Sequence, residues 1–198
     1  MKTTFFDRLT AYFIDLIILS LITTIISFSG ITTTSSEYED RLMDLTESYT
    51  SSEITNEEFI DEYSTILYEN QKDNILGTGI SLGLIIAYFV VFQYMNKGQT
   101  LGKKILHIRV VDKDTNKPTT IIKGLIRSLL IFNIVSGIAN ILFIYILNKN
   151  NYFLGYGLIS GIELLFTIIT LFFIIYRKDG RGLHDMMSNT TVIKERSW

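Results

Sequence analysis

LTAYFIDLIILSLITTIISFSGI, residues 9–31, is an apolar run with one charged side chain, Asp15. About 20 such residues in α-helical conformation cross the ~30 Å hydrocarbon core of a bilayer. Three more runs of this kind follow, at residues 75–95, 128–147 and 152–176. The sequence therefore predicts an all-α membrane protein, built as a bundle of four transmembrane helices.

The overall composition conceals these runs. Hydrophobic residues make up 47% of the chain and charged residues 19%, which is ordinary for a soluble domain, because the charge is concentrated between the runs. Cysteine is absent and there are two histidines, so the sequence offers no disulfide and no zinc site. No nucleotide-binding loop or nucleophile motif is present. We expect one membrane domain over residues 1–198, with no enzymatic activity, no metal and no other cofactor.

Charge also predicts the orientation in the membrane. Residues 32–74 carry twelve acidic and two basic side chains, whereas residues 96–127 carry eight basic and two acidic ones. Lysine and arginine in short connections stay on the cytoplasmic side. We therefore expect a multi-pass protein of the bacterial cell membrane, with both termini cytoplasmic and residues 32–74 outside.

Both connecting segments carry signs of local structure. The acidic segment predicts two amphipathic helices joined as an extracytoplasmic hairpin, and Thr55 with Glu58 predicts a capping box. This hairpin either binds a protein partner or is a solvated loop that only enforces the topology. On the basic side, residues 105–112 alternate like a short strand. We expect residues 119–122 to form its return arm, giving a small interfacial hairpin.

Two carboxylates lie inside predicted spans, Asp15 in the first and Glu163 in the last. A charge near the bilayer centre costs at least ~3 kcal/mol, so these residues are candidates for binding an ion or a proton. The alternative is a buried, satisfied carboxylate that locks the packing of the helices. Gly157 and Gly161 form a G-x-x-x-G pattern on the last span, and this pattern favours close contact with another helix, such as that of a second copy.

Three motifs occur in order along the chain: FFDRLTAYFIDL (residues 5–16), GQTLGKKILHIRVVD (98–112) and GRGLHDMMSNTTVI (180–193). Together they closely resemble the RDD family of bacterial membrane proteins, named for an arginine and two aspartates. The resemblance implies that Arg8, Asp15 and Asp185 are these three residues, and that Arg127 is an arginine that often opens the third helix. The acidic segment 32–74, which looks like an insertion, and Glu163 depart from the family pattern.

The matched residues share a level in the predicted bundle. We expect one polar cluster in its cytoplasmic third, with Asp185 paired to Arg8 or Arg127, because pairing lowers the cost of burying a charge. His184 either titrates near neutral pH or anchors the tail through a hydrogen bond. The predicted cluster comprises Arg8, Tyr12, Gln99, Lys103, Arg127, His184 and Asp185, next to Asp15.

Two functions remain open at this point. The first is a small cation or proton-coupled transporter, acting as an oligomer; sodium–proton exchange is attributed to some members of the family that the chain resembles. The second is an accessory or assembly protein that holds a partner through residues 32–74. A lipid-modifying enzyme lacks a nucleophile. The expected partners are the lipid bilayer, a monovalent cation or proton, and a second copy or another protein, but no nucleic acid.

Overall fold

A computed structural model describes residues 3–28 and 36–195, and about 75% of the structure is helical. The elements in chain order are α1 (Phe5–Phe28), α2 (Ser36–Thr50), α3 (Asn56–Asp73), α4 (Ile75–Met95), α5 (Leu101–Ile105), β1 (Ile108–Asp112), α6 (Ile121–Ile131), α7 (Ile134–Ile146), α8 (Lys149–Tyr176), α9 (Leu183–Met187) and β2 (Thr190–Lys194). We call the end of the bundle that carries α2 and α3 the acidic end. The opposite end, which carries residues 96–120 and 177–195, is the basic end.

Three of the described helices, α1, α4 and α8, are long and apolar enough to cross a membrane. A fourth span exists if α6 and α7 are counted together. Helix α4 has the bounds of the second predicted run, and α8 begins three residues before the last one. The first predicted run starts four residues too late, and its residues 29–31 lie outside the described part of the chain.

The third predicted span, residues 128–147, is not one straight helix. Helix α6 begins seven residues earlier, after Thr120, whose side chain accepts a hydrogen bond from the Lys123 amide. Between α6 and α7 the chain bends by 71°. The bend occurs at Asn133, which has a φ of 54°, a left-handed conformation that asparagine tolerates better than most residues. The length of an apolar run predicts the length of a span. A turn at a single residue does not change the hydropathy of the run, so the sequence did not predict this bend.

The predicted partner of the strand is wrong. Strand β1 pairs antiparallel with β2, in a register that sets Val110 opposite Val192. The chain after Pro118 makes a single bridge to β1 and then enters α6, so residues 119–122 do not return as a strand. The small sheet packs its buried side, with Val110 and Ile108, against Ala11 of α1. It therefore lies across the basic end of the bundle.

Helices α2 and α3 form an antiparallel pair, and the capping box at Thr55 and Glu58 is present. Helix α3 is attached to the bundle through a polar network at the acidic end. The Asn140 side-chain amide donates to Gln71 at 2.9 Å and accepts from the Tyr152 hydroxyl at 2.7 Å. Because these groups are buried or half-buried, the network fixes where α3 sits.

Candidate functional site

The Asp15 carboxylate lies at the N-terminus of the short helix α5 and accepts three hydrogen bonds. The donors are the Tyr88 hydroxyl at 2.6 Å, the Thr100 hydroxyl at 2.6 Å and the Gly102 amide at 2.7 Å. The same Tyr88 hydroxyl accepts from the Leu101 amide at 3.1 Å. A helix N-terminus leaves amides without partners and favours a negative charge. Asp15, which is 1% exposed, therefore joins α1, α4 and α5 at one point.

Gly102 makes this arrangement possible. A Cβ atom at this position would lie 2.2 Å from the carbonyl oxygen of Ala11 and 2.8 Å from the Asp15 carboxylate. Any side chain would push α5 away from α1, so the contact between these helices requires glycine. Tyr88 reaches the site from a π-helical turn of α4, Ala87–Phe92, a local widening that often occurs at functional sites.

The second aspartate, Asp185, is fully buried and holds two arginines. Arg8 of α1 contacts it at 2.9 Å, and Arg127 of α6 forms a second ion pair and hydrogen bond with it. The Gly182 amide and the Thr190 hydroxyl complete the set at 3.3 and 3.4 Å. One buried carboxylate thus balances two guanidinium groups, and it ties α1, α6 and α9 together at the basic end.

A cavity of about 200 Å³ lies between these two aspartate centres. Its wall is largely apolar, and its polar lining consists of Arg8, Tyr12, Asp15, Lys103, Arg127, Thr167 and His184. Five of the seven residues in the predicted cluster therefore line one cavity, together with Asp15. Asp185 is held by Arg8 and Arg127, which belong to this wall. Gln99 is elsewhere, because its side chain donates to the Ile108 carbonyl at 3.0 Å and supports β1.

Lys103 is the one lysine among the residues that line this cavity. Its ammonium donates to the Gln93 side chain at 2.5 Å. Burial, together with the positive charges of Arg127 and Arg8, lowers the pKa of Lys103 to about 7, against the opposing effect of Asp15. Lys103 therefore changes charge near neutral pH.

His184 is neutral near pH 7. Burial holds its pKa well below the ordinary range, and the nearby charges of Arg127, Arg8 and Lys103 act in the same direction. This disfavours the expectation that His184 titrates near neutral pH. Its Nδ1 atom is buried without a hydrogen-bond partner among residues 3–28 and 36–195. Buried polar atoms are normally paired, and this one faces Gly182, where an added Cβ atom would lie 3.0 Å from it.

Glu163 lies outside the cavity between the two aspartates. It is 3% exposed, and its carboxylate accepts from the Ser136 amide at 3.1 Å. Ser136 lies in the first turn of α7, directly after the bend at Asn133, and the Asn133 side chain does not cap this helix. Glu163 of α8 therefore supplies the cap that the broken third span lacks.

Sequence reasoning missed Tyr88, Gln93, Thr100 and Thr190. Gln93 could have been predicted, because a side-chain amide near the end of an apolar run indicates a buried polar partner. The roles of Tyr88, Thr100 and Thr190 could not be predicted, because threonine and tyrosine occur widely in membrane helices and on their boundaries. Within the described residues, no group of three or more acidic or histidine side chains is arranged to hold a metal ion.

Two further cavities continue along the same side of α1 towards the acidic end. The first, of about 300 Å³, shares Tyr12, Phe89 and Phe132 with the cavity between the aspartates. The second, of about 150 Å³, shares Thr23, Ser81 and Leu84 with the first. Their polar lining is mostly hydroxyl groups and asparagine amides: Tyr12, Ser20, Thr23, Ser27, Asn74, Ser81 and Asn133.

Comparison with protein families gives a match over residues 2–189 to the model of the RDD family. The chain belongs to the RDD family. The resemblance carried by the three sequence motifs is thereby confirmed, and this RDD protein is a multi-pass membrane protein. No curated protein and no solved structure matches the chain.

Proposed function

We propose that this RDD protein is a small proton-coupled cation transporter of the bacterial cell membrane. In this proposal the bent pair α6–α7 counts as one of four spans, both termini are cytoplasmic, and the acidic end faces outwards. The positive charge of the basic end supports this orientation. The observation that carries the proposal is the cavity lined by Asp15, Lys103 and His184.

The coupling rests on charge balance. When Lys103 carries its proton, the ammonium compensates the negative charge of Asp15, and a second cation gains little by entering. When Lys103 loses the proton, the cavity lacks one positive charge and a monovalent cation can replace it. One proton is then exchanged for one cation. The oxygens of Asp15, Tyr12 and Thr167, which line the cavity, offer the ligands.

The remaining cavities supply the route in this proposal. They extend from Tyr12 to Asn74 along α1, with hydroxyl groups at intervals. The bend at Asn133 borders the middle cavity, and transporters commonly place a broken helix beside their route. Glu163 holds this bend through the Ser136 amide, so replacing its carboxylate by an amide should weaken the hold and change the shape of the route.

The test is proton flux in proteoliposomes under imposed sodium, lithium and potassium gradients. We expect cation-dependent flux from the native protein, loss of this flux in Lys103→Gln and Asp15→Asn, and a reduced rate in Glu163→Gln. Asp44→Asn is the matched control, because Asp44 is an exposed carboxylate on α2. If folded protein gives no flux with any of the three cations, the exchanger proposal is wrong.

A second candidate is an accessory protein that binds a partner at the acidic end. One observation favours it: the acidic pair α2–α3 is held in a fixed position by the Gln71–Asn140–Tyr152 network, which a merely solvated loop does not need. Replacement of residues 37–54 by a short polar linker separates the two functions. Flux that survives this replacement supports transport, whereas loss of a cellular function with intact membrane insertion supports partner binding.

A further inference from the structure

A larger cavity of about 570 Å³ opens at the basic end, between the C-terminal end of α8 and β2. It shares Arg8, Ile174 and Val192 with the cavity between the two aspartates. Its volume is within the range of ligand pockets, ~300–1,000 Å³. Five cationic side chains and one carboxylate line it: Arg8, Lys113, Arg177, Lys178, Arg181 and Asp179. Gly180 and Thr191 lie in the same wall.

The charges in this cavity do not balance. Asp179 accepts two hydrogen bonds from Arg177, at 3.0 and 3.1 Å, and one from Arg181, at 2.9 Å. These two guanidinium groups hold the pKa of Asp179 well below its usual range, so its single negative charge is fully present and is shared by two positive ones. Lys113 adds a further positive charge to the wall, which Lys178 also lines.

The part of the wall formed by Arg8 also has an excess of positive charge. Arg8 reaches the cavity from α1, and its only ion-pair partner among the described residues, Asp185, is shared with Arg127. Asp179 and Asp185 are thus each divided between two arginines. A negatively charged occupant would relieve the repulsion among these groups.

The position of the cavity indicates where that occupant comes from. The last turn of α8 presents Ile175 and Tyr176, which are 53% and 71% exposed, beside the cavity lining that begins at Arg177. Exposed apolar and aromatic side chains followed directly by basic ones are typical of the boundary between hydrocarbon and headgroups. The cavity is therefore at the depth of lipid phosphates.

We propose that this cavity binds the phosphate group of an anionic phospholipid, such as phosphatidylglycerol. Arginine forms paired hydrogen bonds with phosphate oxygens, and lysine adds a strong point charge. Arg181, which is mostly buried and already fixed by Asp179, is oriented before the lipid arrives. Basic pockets beside transmembrane helices on the cytoplasmic face are known to hold such headgroups. The inference does not depend on transport.

The test measures the thermal unfolding midpoint of the full chain in a neutral detergent, titrated with phosphatidylglycerol, phosphatidylcholine or inorganic phosphate. The cavity variant is Lys113→Gln with Lys178→Gln. The matched control is Lys104→Gln with Lys117→Gln, which removes the same charge from exposed sites at the basic end that do not line the cavity. All four side chains are exposed, so both variants should fold.

We expect phosphatidylglycerol to raise the midpoint of the native chain and phosphatidylcholine to leave it unchanged. Since each lysine near anionic lipid contributes about 1 kcal/mol, the cavity variant should need roughly 30-fold more phosphatidylglycerol, and the control variant much less extra lipid. Equal losses in the two variants would show general surface attraction and overturn the proposal. If inorganic phosphate stabilises as well as the lipid and depends on the same two lysines, the phosphate site stands but the lipid is not its source.

Discussion

Two buried aspartates in this protein have different tasks, although both lie at the basic end. Asp15 accepts from two hydroxyl groups and one amide, so its charge is stabilised by dipoles. Asp185 faces two arginines, so its charge neutralises other charges. Removal of one carboxylate charge therefore has different consequences at the two sites: lost hydrogen bonds at Asp15, and uncompensated buried cations at Asp185.

Asp185→Asn should destabilise the protein severely. Arg8 and Arg127 have side chains that are 12% and 9% exposed, and without the carboxylate their charges repel each other in a poorly solvated place. The expected loss is about 3–5 kcal/mol in the free energy of unfolding, measured by denaturant titration in detergent micelles. The exposed control Asp44→Asn should change it by less than about 0.5 kcal/mol. Similar small losses in both variants would contradict the assigned role of Asp185.

Lys103 should make stability depend on pH. Its pKa in the folded protein is about 7, lowered from an ordinary value of 10.5. Between these values the unfolded chain binds a proton that the folded protein has released, so the free energy of unfolding should rise as the pH increases through this window. Below about pH 7 Lys103 is protonated in both the folded and the unfolded protein. The folded protein then bears the full free-energy cost of burying the charged ammonium, and this group no longer makes stability depend on pH.

Measurement of the unfolding midpoint from pH 6 to pH 10 checks this sign. Lys103→Met should remove the contribution of this group to the slope, because it cannot bind a proton. Lys104→Met is the control, since Lys104 is exposed on the same short helix. An unchanged slope in Lys103→Met would show that the lysine does not titrate in this window.

At the level of elements, the protein depends on how closely α5 approaches α1. The first amides of α5 are all satisfied: Leu101 by the Tyr88 hydroxyl, Gly102 by Asp15, and Lys103 by the Thr100 hydroxyl. A helix of five residues is too short to be stable alone. It exists here because two transmembrane helices provide its N-terminal partners.

Gly102→Ala should disrupt this contact. Its Cβ atom would lie 2.2 Å from the Ala11 carbonyl oxygen, which belongs to the main chain and cannot move aside cheaply. We expect a loss of about 1–3 kcal/mol in the free energy of unfolding, the usual range for overpacking. Gly83→Ala is the matched control, because nothing lies within 4 Å of a Cβ atom there; it should be neutral or stabilising. Equal stability of the two variants would contradict the close contact.

At the level of the whole molecule, α8 presents an unused surface. Added Cβ atoms at Gly157 and Gly161 would meet no atom within 4 Å in the described structure, whereas Gly155 lies against Phe143. Among residues 3–28 and 36–195, therefore, nothing packs against the two open glycines. Small residues four apart on a membrane helix allow close approach of another helix, so we expect this face to contact a second copy.

Cysteine cross-linking tests this contact, since the native chain has no cysteine. Leu158→Cys, beside Gly157, should give a disulfide-linked dimer when membranes are oxidised, visible as a doubled mass in a non-reducing gel. Leu158 is 69% exposed, and the control position Ile17, on α1, is 59% exposed. Ile17→Cys should stay monomeric. Equal cross-linking at both positions would indicate random collision. Absence of cross-linking at Leu158 would show that this face of α8 does not contact a second copy.

The sequence by itself determined the membrane class, the bounds of α4, the capping box at Thr55 and the family. These features are local, because a span is read from the length of an apolar run and a cap from residues three positions apart. Tertiary structure decided what the charged residues do. Asp15 takes its three donors from 73, 85 and 87 positions away, and β1 takes its partner from residues 190–194. Such partners are selected by how helices pack in space, and no periodicity along the chain specifies them.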